Sequence, residues 1–122
     1  MEGTASKNGR TIDFTIGFDR ELTYTCGEYV GEDRKGIVQA GTTAEVETTF
    51  HFDHIFGDNS LPAEDVLNQE SLGFEPLASL AQNGQLKVDR TDLQEQLNPQ
   101  EYEKLQKAIM GLGHVGEGHC RS

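Results

Sequence analysis

The sequence predicts an α+β fold: an N-terminal antiparallel sheet or half sandwich, then short helices, then a glycine-rich C-terminal loop. Residues 11–56 alternate apolar and polar side chains with the period of two that is typical of half-buried strands. Residues 60–112 carry helix-start residues and apolar side chains at helical spacing. Residues 113–122 are rich in glycine and poor in apolar side chains. We therefore expect a flexible segment over residues 1–10 and a single α+β domain over residues 11–122.

The β-rich part is predicted to contain about four strands. The first, over residues 12–18, alternates without a break. A second run of alternation covers residues 22–26, and a short third strand lies at residues 37–38. The clearest strand covers residues 44–52, and its alternation places His51 on the polar face.

The helical part is predicted from its start and stop signals. The strongest start is at Asn98, a typical N-cap residue, because Pro99 follows at the first helical position. Gly111 and Gly113 end that helix. The other predicted elements are a short helix from Pro62 to about Asn68, a helix over residues 74–81, a brief strand or extended linker at residues 86–88, and a short helix from Thr91 to about Leu97.

The composition argues against several classes of partner. The formal net charge is −11, so nucleic acid and anionic lipid surfaces should repel the chain, whereas cations and basic partners should be attracted. No apolar run approaches the ~20 residues of a membrane span. Residues 1–6 lack the cationic start and the apolar stretch of a signal peptide. We expect no nucleic-acid partner and no membrane span, while a protein partner stays possible.

The two cysteines, Cys26 and Cys120, leave the compartment open. One disulfide between them would suit a periplasmic or secreted protein, present as a mature form without its signal peptide. Two free thiols would suit a cytosolic protein, with Cys26 buried as a small apolar side chain on the face of Leu22 and Tyr24.

The strongest functional signal is the placement of the four histidines in two short motifs. His51 and His54 lie close together at the end of the clearest strand, and His114 and His119 lie in the glycine-rich tail. Imidazole is the commonest protein ligand for zinc and copper. The sequence therefore predicts that the two pairs hold one zinc or copper ion. Three neighbours are candidates for further ligands or for groups that orient the imidazoles: Asp53, Glu117 and Cys120.

A shared site carries two structural conditions. His51 and His54 are three residues apart and would point to opposite faces of a continued strand, so the strand must end or bend near Asp53. Residues 113–122 would fray if left alone, so something must hold them against the sheet. The alternatives are histidines that form structural hydrogen bonds between tail and sheet, and histidines with no common role.

Residues 49–58 resemble the His-x-His-x-Asp-His signature of the metallo-β-lactamase superfamily, which also follows a strand there. The resemblance implies a dinuclear metal-dependent hydrolase in which His51, Asp53 and His54 are ligands. It covers only this short segment, Thr49 stands in the place of the first histidine, and the chain is shorter than the usual αβ/βα sandwich. The sequence does not place the chain in that family.

We therefore expect a small, acidic, non-catalytic metal-binding protein that stores, delivers or senses zinc or copper. One alternative is a β-rich protein-interaction module with structural histidines. Another is a small metal-dependent hydrolase with Glu117 or Asp53 as the base. The enzyme is less expected, because the sequence has no Gly-x-Ser-x-Gly elbow and no phosphate-binding loop.

Overall fold

The computed structural model describes residues 1–26, 38–115 and 118–122. Within these ranges the strands are β1 (Glu2–Lys7), β2 (Arg10–Gly17), β3 (Thr25–Cys26), β4 (Thr48–Phe50), β5 (Gln85–Asp89), β6 (Gly113–Val115) and β7 (Gly118–Arg121). The helices are α1 (Asp53–Phe56), α2 (Val66–Glu70), α3 (Phe74–Leu80), α4 (Arg90–Gln96) and α5 (Pro99–Met110). The predicted α+β class is confirmed. No helix of the described ranges has the length and apolar character that crossing a membrane requires.

The first sheet has the strand order β1-β2-β5. Its central strand β2 is the strand predicted from alternation, with Ile12, Phe14 and Ile16 buried on one face. The brief strand predicted at residues 86–88 is β5, which pairs with β2 in the parallel direction. A parallel partner needs a long crossover, so a strand from the helical part of the chain completes this sheet.

Residues 1–10 were expected to be a flexible segment; instead, Glu2–Lys7 forms the edge strand β1. It pairs with β2 over its whole length, and the Met1 amino group donates to the Ile16 carbonyl oxygen at 2.7 Å. Asn8 and Gly9 both have positive φ angles, 51° and 77°, as a tight hairpin turn requires. The strand was missed because its small and polar side chains give almost no apolar alternation.

The second sheet has the strand order β3-β7-β6-β4 and is antiparallel throughout. It corrects three expectations. Only Thr48–Phe50 of the expected strand 44–52 is a strand, and only Thr25–Cys26 of the expected strand 22–26. The tail 113–122, expected to be a loop, supplies the two central strands β6 and β7. Residue 37 of the expected short strand lies outside the described residues, and Val38 is not in a strand.

Three of the helices begin close to where the sequence places them. The Asn98 side chain accepts from the Glu101 backbone N–H, and the Glu101 carboxylate accepts from the Asn98 N–H, so a complete capping box starts α5. The start of α4 is likewise capped, by Asp89, and α3 covers the predicted segment. The expected start at Pro62 is wrong for α2, which begins at Val66 after an Asp65 cap.

The main core lies between the first sheet and the helices. Its buried apolar members are Ile12, Phe14, Ile16, Ile55, Leu72, Phe74, Leu77, Ala78, Leu86, Val88, Leu93, Leu97, Leu105, Ala108, Ile109 and Leu112. Ile55 belongs to α1, a helical turn that the sequence did not predict, and its side chain is fully buried. The anchoring of α1 in the core fixes the position of the neighbouring residue, His54.

Candidate metal centre

The second sheet aligns two histidines of the tail with the end of β4. His114 on β6 is the cross-strand partner of His119 on β7, and Thr49 on β4 is the partner of His114 on its other side. Directly opposed residues of neighbouring strands project from the same face of a sheet. The hairpin of β6 and β7 therefore places both imidazoles on one face, beside the end of β4.

The short helix α1 brings a third imidazole to that face. The chain leaves β4 at Phe50, the His51 N–H donates to the Leu112 carbonyl oxygen at 3.1 Å, and α1 begins at Asp53. This ending of the strand near Asp53 is the condition that the sequence set for a shared site. His54 consequently turns toward the tail instead of projecting from an extended strand.

Three imidazoles lie close enough together to ligate one ion. One nitrogen from each of His54, His114 and His119 lies within 4.8 Å of the other two. The Nε2 atoms of His54 and His114 are 3.4 Å apart. Two imidazole nitrogens on a tetrahedral zinc ion, with Zn–N bonds of ~2.0–2.1 Å, are about 3.3 Å apart. The two atoms are also within hydrogen-bonding distance, so the spacing suits two ligands on one metal ion and equally a structural hydrogen bond between α1 and the tail.

His51 lies beside this group and not within it. Its ring stacks on that of His114, with centroids 4.2 Å apart and an interplanar angle of 20°, and its Nε2 atom lies 3.1 Å from the Thr49 hydroxyl. His51 is exposed, whereas only 6% of the surface of His114 is accessible. Of the four histidines that the sequence singled out, the structure brings three into the group and places the fourth against its side.

Burial favours the neutral form of two of the imidazoles. It is the largest cause that lowers the pKa of both His54 and His114 below the ordinary value of 6.5. Positive charge on the neighbouring histidines lowers both pKa values further, while the negative charge of Asp53 opposes the shift. Neutral imidazole is the form that binds a metal ion, so burial shifts both residues in the direction that metal binding requires.

The candidate accessory residues have three different outcomes. Asp53 is close enough to act on the pKa of both His54 and His114, and its Oδ1 atom is buried with no hydrogen-bond partner among the described residues. A buried carboxylate oxygen without a partner is unfavourable, and a nearby cation would compensate it. Glu117 lies outside the described residues. The expectation that Cys120 could be a ligand is wrong, because its sulfur is in a disulfide and is not a thiolate.

The disulfide joins Cys26 on β3 to Cys120 on β7 across a sequence separation of 94. Cys120 is buried, but Cys26 is exposed, so Cys26 is not the buried thiol of the alternative interpretation. The bond anchors β7 one residue after His119. Disulfides form and persist mainly in oxidising compartments, so the bond between Cys26 and Cys120 weakly indicates such an environment.

Close packing on the other face of the hairpin supports the same strands. A Cβ atom at Gly113 would lie 2.8 Å from the ring of Tyr24 and 3.4 Å from Cβ of Cys120. The Tyr24 hydroxyl donates to the Ile109 carbonyl oxygen, which ties the segment before β3 to the end of α5. The absence of a side chain at Gly113 therefore lets the hairpin approach Tyr24.

A cleft of about 660 Å³ opens on one side of the three-histidine group. His54 and His119 contribute to its wall, so two of the three imidazoles are accessible from it. Its other described lining comes from α2, α5 and the end of β7, and its charged members are Glu70, Lys104, Lys107 and Arg121. Sequence reasoning missed this wall, because lysines on the polar face of α5 look like ordinary exposed residues.

The ligand set implied by the metallo-β-lactamase resemblance is not the set that the fold brings together. His51 and Asp53 are outside the group, and the two imidazoles that lie near His54 come from the tail. Comparison of the chain with protein-family models, curated proteins and solved structures finds no significant match.

Proposed function

We propose that this protein binds one zinc or copper ion through His54, His114 and His119. The observation that carries the proposal is the approach of three imidazole nitrogens to within 4.8 Å of one another, from a helix and two strands. The 3.4 Å spacing of one nitrogen pair and the lowered pKa values of His54 and His114 support it. A metal ion with a preference for nitrogen ligands suits this donor set better than calcium or magnesium.

Storage, delivery or sensing of the metal is the role that the site supports best. Two of its ligands line an open cleft, so the ion can exchange with solvent or with another molecule. The disulfide favours a periplasmic or secreted location, where an acidic protein with a histidine site would meet free metal ions. The proposal is confined to metal binding and includes no catalytic step.

Metal titration of the untagged protein tests the proposal. After removal of bound metal with a chelator, we expect elemental analysis to give one zinc or copper ion per chain. We also expect a rise in melting temperature, because a ligand that binds only the native state stabilises it by about 2.7 kcal/mol at a concentration of 100 Kd. The comparison of the two metals identifies the one bound more tightly.

Single variants assign the ligands. His54→Asn, His114→Asn and His119→Asn should each weaken metal binding at least tenfold, whereas His51→Asn, a neighbour outside the group, should bind almost as tightly as the wild type. Circular dichroism of each variant checks that the fold is kept. Sub-stoichiometric metal with unchanged melting, or equal metal affinity in all four folded variants, would mean that the histidines only make structural contacts.

A further inference from the structure

We propose that the bound ion keeps one coordination position open to the cleft, where it takes the phosphate or carboxylate group of a small molecule. This inference rests on the proposed metal site and names the class of ligand that completes it. The described group supplies three imidazoles, and tetrahedral zinc sites with three protein ligands hold their fourth ligand from solvent or substrate.

Two residues of the group line the cleft, which gives an anion a route to an open coordination position. His54 and His119 line the cleft, whereas His114 is almost fully buried behind them. His51, the remaining imidazole, stacks on the ring of His114 and lies outside the group. The volume of about 660 Å³ is within the range of pockets that hold small molecules, ~300–1,000 Å³.

The charge of the cleft differs from that of the rest of the chain. The protein has a formal net charge of −11, yet the part of the described wall that comes from α2 and α5 carries two lysines, Lys104 and Lys107, and one carboxylate, Glu70. Lys104 and Lys107 lie three residues apart on α5 and therefore share one side of that helix. Together with a divalent ion, they make the cleft a local site of positive potential in an acidic protein.

The contacts of the two lysines do not remove this potential. The Lys104 ammonium donates to the Gln69 carbonyl oxygen at 2.9 Å, a neutral acceptor that leaves its charge in place. Lys107 pairs with Glu103 at 3.0 Å, but both side chains are mostly exposed, and such a pair contributes little free energy. Either ammonium can therefore turn toward an anion in the cleft.

Cobalt substitution provides the direct test. Co²⁺ occupies zinc sites, and its visible absorption reports the number and type of ligands. We expect the Co²⁺ protein to change its spectrum in a saturable way when inorganic phosphate or acetate is added at constant ionic strength. The phosphate and acetate titrations also show which of the two oxyanion types binds more tightly.

Charge variants should change the phosphate affinity in opposite directions. Lys104→Gln combined with Lys107→Gln should weaken phosphate binding about three- to fivefold, the modest effect expected when two solvent-screened charges are removed from the wall of the cleft. Glu70→Gln should strengthen it about twofold for the same reason. The matched control is Lys87→Gln, because Lys87 is exposed on β5 and does not line the cleft. All three variants should keep the Co²⁺ spectrum of the wild type before anion is added.

Each contrary result would overturn a different claim. If Co²⁺ gives no ligand-field spectrum and neither zinc nor copper binds in the metal titration, the metal site is absent and the proposed function fails. If copper binds and Co²⁺ does not, the same anion titrations are read from the visible absorption of the Cu²⁺ protein. If Co²⁺ binds but its spectrum ignores both anions, the fourth position is closed by the protein and this inference fails alone. A shift of the anion-free spectrum in Glu70→Gln would assign that closing ligand to Glu70.

Discussion

Single residues of the hairpin decide whether three imidazoles can meet. His114 faces His119 across the strand pair, and this pairing persists only while the opposite face of β6 stays free of bulk. Gly113 meets that need because the ring of Tyr24 occupies the space where its side chain would lie. The close approach of the Gly113 backbone to Tyr24 is therefore linked to the position of the next residue, His114.

Gly113→Ala should destabilise the protein by about 1–3 kcal/mol, the usual cost of an added methyl group in a filled space. Urea unfolding of the metal-free protein measures it. Gly17→Ala is the control, because the nearest atom to a Cβ there is at 3.9 Å and its backbone is not in the left-handed region. Equal stability of the two variants would mean that Tyr24 moves aside freely.

Elements whose pattern is local could be predicted from the sequence. The alternation of β2 and the capping box of α5 are complete within a few neighbouring residues, so both were placed correctly. The second sheet was not, because pairing between β4 and β6 joins residues far apart in sequence and a strand's pattern does not name its partner. The glycines of the tail also concealed β6 and β7, since their strands bury backbone and few apolar side chains.

The candidate site was predictable in its residues and not in its geometry. Histidine chemistry pointed to all four imidazoles, but the exclusion of His51 from the group depends on where β4 ends and α1 begins. The role of Cys120 depended on whether its partner strand β3 lies next to β7. The end of β4 and the pairing of β3 with β7 are properties of the assembled sheet, so no single sequence motif predicts them.

Breaking the disulfide should loosen β7 and weaken metal binding. Replacement of Cys26 and Cys120 together by alanine should lower the free energy of unfolding by about 3–5 kcal/mol, since the bond closes a long loop of the unfolded chain. We expect the metal affinity to fall as well, because His119 precedes the anchored residue. Titration of the wild type before and after reduction gives the same comparison without substitution, provided that the two thiols are alkylated and the reductant is removed, because free thiols bind these metals themselves. Unchanged affinity in both would mean that pairing with β6 alone holds His119.

At the scale of the whole molecule, burial and net charge act on the imidazoles in opposite directions. The formal net charge of −11 favours protonated histidine, whereas burial lowers the pKa of His54 and His114 in the folded state. The charged groups that act on this pair through space are His51, His119, Asp53 and Glu70. Burial therefore favours the neutral imidazoles that the proposed metal site requires.

The same shift makes the metal-free protein sensitive to acid. Above the ordinary pKa of 6.5 both states hold neutral imidazoles, and the shifts have no effect on stability. As the pH falls below that value, the unfolded chain binds protons that the folded chain excludes, so stability falls through the lowered folded pKa values. Urea unfolding with a chelator present, from neutral pH to about pH 5, should show this loss. It should be smaller in the double variant His54→Asn, His114→Asn, and equal slopes would contradict the assignment.

The order of the three ligands along the chain has a consequence for how the protein matures. His54 is made well before His114 and His119, and the hairpin that carries the later two must close onto strands that were synthesised much earlier. Contacts between such distant segments form late in folding, because loop closure precedes any gain from pairing. A nascent chain therefore lacks the complete group of three imidazoles until β6 and β7 have emerged and docked, and we expect uptake of the proposed metal ion only after that step.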